Sequence, residues 1–157
     1  YIHAGGKIGV LVDVKTDVIN DEIKEMAKNI AMQIAALKPV YTNSSEVDEE
    51  YKAHELEIIK AQIENDPKMA GKPEKVISGA VMGIGRLNKE LKEICLLDQV
   101  YVKAEDGKQL VSAYVAQVAK ANSANITING FVRYETGEGL EKKSEDFAAE
   151  VAKQMGM

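Results

Sequence analysis

The chain has 157 residues, of which 45% are hydrophobic, 29% charged and 5% aromatic, with a formal net charge of −5. Those values belong to a globular domain able to bury a core without staples, and they exclude a collagen-like or disordered polymer. The acidic balance argues against nucleic acid as a partner, the short apolar runs against a membrane span, and the lone Cys95 against an intramolecular disulfide.

In chain order, Tyr1-Ile2-His3 and Lys7 to Lys15 are β-rich runs separated by Ala4-Gly5-Gly6, which predicts a hairpin. The second run is nearly continuous in apolar residues and is expected to be a central strand. Opening at Tyr1 directly in a strand, the sequence is expected to be part of a longer protein. Ile23, Met26, Ala27, Ile30, Ala31, Ile34 and Ala35 then recur at helical spacing. Asn20 is the expected N-cap, Asp21 and Glu22 suit the positive end of the helix, and Pro39 stops it after Lys38. The apolar stripe is expected to bury against the hairpin.

Residues 45–94 have a different texture. A charged run from Asp48 to Asn65 and a second run ending near Lys92 predict two helices, broken by Asp66-Pro67 and Gly71-Lys72-Pro73. Val47, Tyr51, His54, Ile58 and Ala61 are spaced 4, 3, 4, 3, as are Ala80, Ile84, Leu87, Leu91 and Ile94. Such narrow seams predict an antiparallel helical hairpin projecting from the body. Gly79, Gly83 and Gly85 each weaken the second helix by about 1 kcal/mol relative to alanine, a cost consistent with close helix approach.

Beyond the hairpin, Gln99 to Val102 reads as a short strand, Asp106-Gly107 as a turn, and Gln109 to Ala121 as a helix with Leu110, Val111, Tyr114, Val115 and Val118 on one side. Asn125 to Glu135 reads as a strand presenting Ile126, Ile128 and Gly130 on one face, followed by a turn at Thr136-Gly137-Glu138-Gly139. A terminal helix capped by Ser144 carries Phe147, Ala148, Val151 and Met155.

Catalytic chemistry is hard to find. His54 sits in the charged helix, His3 beside the glycine turn, and neither has a second ligand at zinc spacing. Cys95 lies among Ile94, Leu96 and Leu97 and reads as an inert buried thiol. Gly83-Ile84-Gly85 and Gly137-Glu138-Gly139 lack the spacing of a dinucleotide or phosphate loop. No cofactor, metal or covalent catalysis is expected.

Five stretches, in order, carry a family resemblance: Tyr1 to Val12; Ile30 to Ala36 with Lys38-Pro39; Cys95 to Gln99; Phe131 to Gly139; and Asp146 to Ala152. Together they resemble the second half of bacterial elongation factor Ts. The resemblance implies an α+β fold, with a three-stranded antiparallel sheet packed on helices and a protruding coiled-coil arm over 46–93. It implies a core and dimerisation domain over 1–157 and a C-terminal helical module over 143–157. It also implies a cytoplasmic guanine-nucleotide exchange factor that binds elongation factor Tu carrying GDP and promotes GDP release.

In the same terms His3, Gly5, Gly6, Phe147, Val151 and Met155 are the expected partner contacts. Tyr51, Ile58, Ile84, Leu87 and Leu91 form the arm, with a homodimer through that arm as the alternative role. The family's Thr-Asp-Phe-Val-Ala motif is not in this sequence, and Asp146-Phe147-Ala148 belongs to the terminal helix. The chain is therefore expected to bind but to exchange poorly.

Overall fold

The computed structural model describes residues 1–69 and 80–140. Gly71, Gly79 and the terminal helix with Ser144, Phe147, Val151 and Met155 lie outside the described residues. The fold is α+β. Strands β1 (Ile2–His3), β2 (Ile8–Thr16) and β3 (Ile126–Glu135) form one antiparallel sheet in the order β1-β2-β3, and helices α1 (Asp21–Leu37), α2 (Glu49–Glu64), α3 (Ala80–Ile94) and α4 (Val111–Ala121) accompany it. None of the described helices is long and apolar enough to cross a membrane.

Helix α1 forms for the reasons the sequence gives. The Asn20 side chain accepts from Ile23 N at 2.9 Å, Asp21 and Glu22 occupy the first turn, and Lys38 ends the helix in the left-handed region at φ 50°. Its stripe of Ile23, Met26, Ile30, Ala31, Ile34 and Ala35 is buried against Val10 and Ile128 of the sheet on one side and Leu96, Tyr101, Val111, Val115 and Val118 on the other. Because α1 is covered on two sides, Asn29 and Gln33 are buried as well.

As expected, β2 is the central strand, yet it is buried on one face only. Ile8, Val10, Val12 and Val14 pack on the core, while Leu11 is 68% exposed. Its continuous apolar run thus covers both a core face and an open face. Along β3 the alternation changes phase: Asp13 pairs with Gly130 and Val14 with Ile128, so Asn129 is the extra residue of a bulge. Ile126 and Ile128 point inward before the bulge and Phe131 after it, so the inward face does not continue regularly through Gly130.

The strand expected over 99–102 does not form. Val100 makes only an isolated bridge with Leu110. The segment spends its polar groups elsewhere: Gln33 Oε1 accepts from Val102 N at 2.8 Å, Gln33 Nε2 donates to Val100 O at 3.0 Å, and Tyr101 N donates to Gln109 O at 2.8 Å. A ladder would need those same groups.

The end of β2 is fastened to the start of β3 by Asp17, whose carboxylate accepts from the backbone and side chain of Asn125, both at 2.8 Å. The backbone bond first, and the side-chain bond next, hold the Asp17 carboxyl below the ordinary carboxylate range. A depressed folded pKa contributes stability above the unfolded value and loses it as pH falls through the folded value. Asp17→Asn is therefore expected to lower Tm at neutral pH and to flatten the acid limb of the Tm profile below about pH 5, where the unfolded carboxyl begins to take up its proton. Identical acid limbs in variant and parent would refute that role.

Candidate partner-contact surface

Six of the expected contact and arm residues turn out to be exposed, two help to close a small core, and one end of the sheet gathers the turn residues. Chain reversal between β1 and β2 is made by the 3-10 turn Ala4–Gly6. Gly5 and Gly6 have φ of 66° and 95°, a region glycine enters without a Cβ penalty. His3, at the end of β1, is exposed, and its Nδ1 lies 2.8 Å from the Tyr1 hydroxyl, with the two rings 5.7 Å apart. Tyr1 continues the pairing beyond β1, since Tyr1 N donates to Val10 O and Val10 N to Tyr1 O, each at 2.8 Å. His3, Gly5 and Gly6 thus share one solvent-facing corner whose backbone path is fixed.

The far end of β3 arrives at the same corner. Glu135 pairs with Ile8, and the Glu135 carboxylate accepts from Lys38 Nζ at 3.1 Å and Arg133 Nη2 at 3.0 Å. The Lys38 bond, followed by the Arg133 bond, holds the Glu135 carboxyl below its ordinary range. The Arg133 side chain is largely buried, and its Nη2 also reaches Ala35 O at 3.5 Å, so the end of α1 is tied to the sheet edge.

The helical pair has its own small core. Ile59, Ile63 and Leu87 are buried, with Leu56 and Leu91 packed against them, and none of these belongs to the main core. A Cβ placed on Gly83 would come within 3.1 Å of Leu56 Cδ1, so this glycine permits the close approach; at Gly85 nothing among the described residues lies within 4 Å.

The seam differs from the expected one on α2. It runs through Leu56, Ile59 and Ile63, leaving Tyr51 and Ile58 about two-thirds buried at most on its flank and His54 exposed. On α3, Leu87 and Leu91 lie in the seam as expected and Ile84 does not, at 46% exposed. The sequence of α2 carries two stripes at 3–4 spacing, and the wetter one is the one aligned with Tyr51.

Burial and nearby Asp98 push the Cys95 thiol above its ordinary value, which lowers its thiolate fraction. Among the described residues no three His, Cys, Asp or Glu side chains gather to hold a metal ion. Sequence reasoning missed one surface. Ile2, Leu11, Val132 and Tyr134 stand exposed on the outer face of the sheet, with Leu11 opposite Val132 and both Ile2 and Tyr134 opposite Gly9. The period-2 alternation of Leu11 between Val10 and Val12 was the available signal.

A family model described as elongation factor TS matches residues 1–138. The chain is similar to elongation factor Ts of Clostridioides difficile (strain 630), 48% identical over 155 residues, covering 99% of this chain and 48% of the relative. It is similar to elongation factor Ts of Clostridium acetobutylicum, 50% identical over 155 residues with the same coverage, and to that of Clostridium botulinum (strain Eklund 17B), 46% identical over 156 residues, 99% of this chain and 49% of the relative. The chain therefore spans about half the length of these curated relatives.

Proposed function

The chain belongs to the elongation factor Ts family, and from that premise we propose that it supplies the docking part of a guanine-nucleotide exchange factor for elongation factor Tu, acting in translation elongation. The observation that carries the reading is the match along 99% of the chain. The exposed corner of His3, Gly5 and Gly6 supports it, because a fixed backbone and an unburied imidazole suit a protein contact and hold no reacting constellation. Phe147, Val151 and Met155 add a second contact in this reading. The nucleotide belongs to the partner, so this chain needs no phosphate loop or cofactor of its own, and its place of work is the cytoplasm.

Exchange of this kind is a coupling between two ligands of one protein. A factor that holds nucleotide-free Tu more tightly than the GDP form weakens GDP, and GDP weakens the factor by the same ratio. The chain lacks the Thr-Asp-Phe-Val-Ala motif of the family, so it is proposed to dock while coupling weakly.

Direct binding to Tu carrying a fluorescent GDP, followed by release of that GDP, tests both halves. Binding is expected, with release accelerated less than about fivefold, the low edge of ordinary coupling. Absence of binding would remove Tu as the partner. Release as fast as with a full-length factor would show that docking alone opens the nucleotide site. A second reading, self-association through the helical pair, is favoured by the partly exposed Tyr51, Ile58 and Ile84 on its flanks.

A further inference from the structure

We propose that the turn over residues 136–139, with Leu140 at its end, is the second half of the partner-contact edge begun by His3, Gly5 and Gly6. This rests on the reading of those residues as a contact for elongation factor Tu.

The two turns lie side by side. Glu135 is in register with Ile8, and Thr136 N donates to Lys7 O at 2.8 Å. All residues from Ile2 to Lys7 and from Thr136 to Leu140 are exposed. Lys7, at the end of the first turn, is thus one strand spacing, about 5 Å, from Thr136, and His3 on β1 lies two spacings, about 10 Å, from Glu135, so a partner that covers the first turn reaches the second.

Backbone geometry marks the same edge. Apart from Gly107 and Ser123, every described residue with positive φ gathers here: Ala4, Gly5, Gly6, Lys38, Gly137 and Gly139. Lys38 joins through its 3.1 Å bond to Glu135. Ala4 at φ 52° is an L-residue in the left-handed region, which costs on the order of 1 kcal/mol and persists where surrounding structure enforces it. Such positions collect at contact and switch sites.

Among the described residues, these glycines do not admit a neighbour within the chain: a Cβ on Gly5, Gly6, Gly137 or Gly139 would meet none of them within 4 Å. The open space lies on the solvent side, where another protein's backbone can approach closely. The second turn is also preorganised: Glu138 N donates to Glu135 O at 3.0 Å, Glu138 Oε2 accepts from Glu135 N at 3.2 Å, and Leu140 N donates to Gly137 O at 3.3 Å. A turn already ordered before binding loses little entropy on contact.

Thr136→Arg places a long side chain on this edge without removing the Thr136 N–H bond. Thr127→Arg places the same side chain at the other end of β3, where Thr127 is also exposed. Binding of each chain to immobilised elongation factor Tu, with Tm measured in parallel, separates the outcomes. Thr136→Arg and His3→Ala are expected to weaken binding about tenfold or more, and Thr127→Arg not at all, with Tm held within about 2 °C. Should Thr136→Arg melt lower, Leu140→Arg gives the same reading from a side chain that is 75% exposed. If His3→Ala weakens binding and neither turn variant does, the turn lies outside the contact and the inference falls alone. If the parent chain does not bind Tu, the docking function falls and takes the inference with it.

Discussion

Gln33→Leu is expected to cost the fold about 3 kcal/mol and to lower Tm by roughly 6–12 °C. Gln33 is fully buried on α1 and works in both directions. Its Nε2 donates to Val100 O at 3.0 Å and to Gln99 Oε1 at 3.3 Å, while its Oε1 accepts from Val102 N at 2.8 Å. Gln99 is buried too, and its Nε2 donates to Glu93 O at 2.7 Å. One side chain thus holds a non-ladder segment against the helix and passes the connection on to the end of α3. Leucine keeps most of the volume, so the loss falls on polar groups left without partners, each worth about 1–3 kcal/mol. Thermal melts give the size of the effect, and hydrogen exchange at the Val102 amide gives its place. A Tm change under about 2 °C, with Val102 still protected, would show that another acceptor takes over from Gln33.

The same residue explains part of what the sequence conceals. Helix α1 was legible because cap, stripe and stop agree: Asn20, the Ile23-to-Ala35 spacing, and Pro39 each act within a turn of themselves. The β1–β2 hairpin, the α4 helix and the Asp106-Gly107 turn were legible for the same local reason, with Gly107 at φ 64° and Asp106 accepting from Lys108 N and Gln109 N. The run over 99–102 has strand composition, yet its hydrogen-bonding fate is decided by a glutamine more than sixty residues earlier in the chain. No window of neighbouring residues contains that information.

On α2 the information was present but ambiguous. Tyr51, His54 and Ile58 make one stripe and Leu56, Ile59 and Ile63 another, and only the position of Gly83 and Leu87 on α3 selects the second. The contact corner was legible as a glycine turn, whereas its neighbourhood with Thr136–Gly139 depends on the β2–β3 register and so on the bulge at Asn129. The Asn129-Gly130 pair was the available cue to that bulge, since glycine inside a strand marks such sites.

Removal of residues 47–92, with Glu46 joined to Glu93 by a short Gly/Ser loop, is expected to leave a cooperatively folding body. The small core of Ile59, Ile63 and Leu87 shares no residue with the main core, so deleting it leaves no cavity beneath α1. The two chain ends are already stitched together below the cut. Val40 N and Tyr41 N donate to Ile94 O at 2.8 and 3.0 Å, Leu96 N donates to Tyr41 O at 2.8 Å, and Leu97 N to Thr42 O at 3.0 Å.

Glu46 and Glu93 are kept because the Glu46 carboxylate accepts from Thr42 N at 2.9 Å and the Glu93 carbonyl accepts from Gln99. A loop of several residues closes this gap cheaply, since closure entropy changes by only about 0.6 kcal/mol per doubling of length. Tm of the shortened chain is expected within about 5 °C of the parent. Loss of a cooperative melt would make the helical pair integral to the body rather than an insertion. Sizing of the two chains then assigns self-association. A parent dimer that becomes a monomer places the dimer contact on the helical pair with Tyr51, Ile58 and Ile84, while a dimer that survives the deletion moves the contact to the body. In either case the His3 corner stays intact, because its hydrogen bonds run to Tyr1, Val10 and Thr136 and, among the described residues, none reaches the deleted segment.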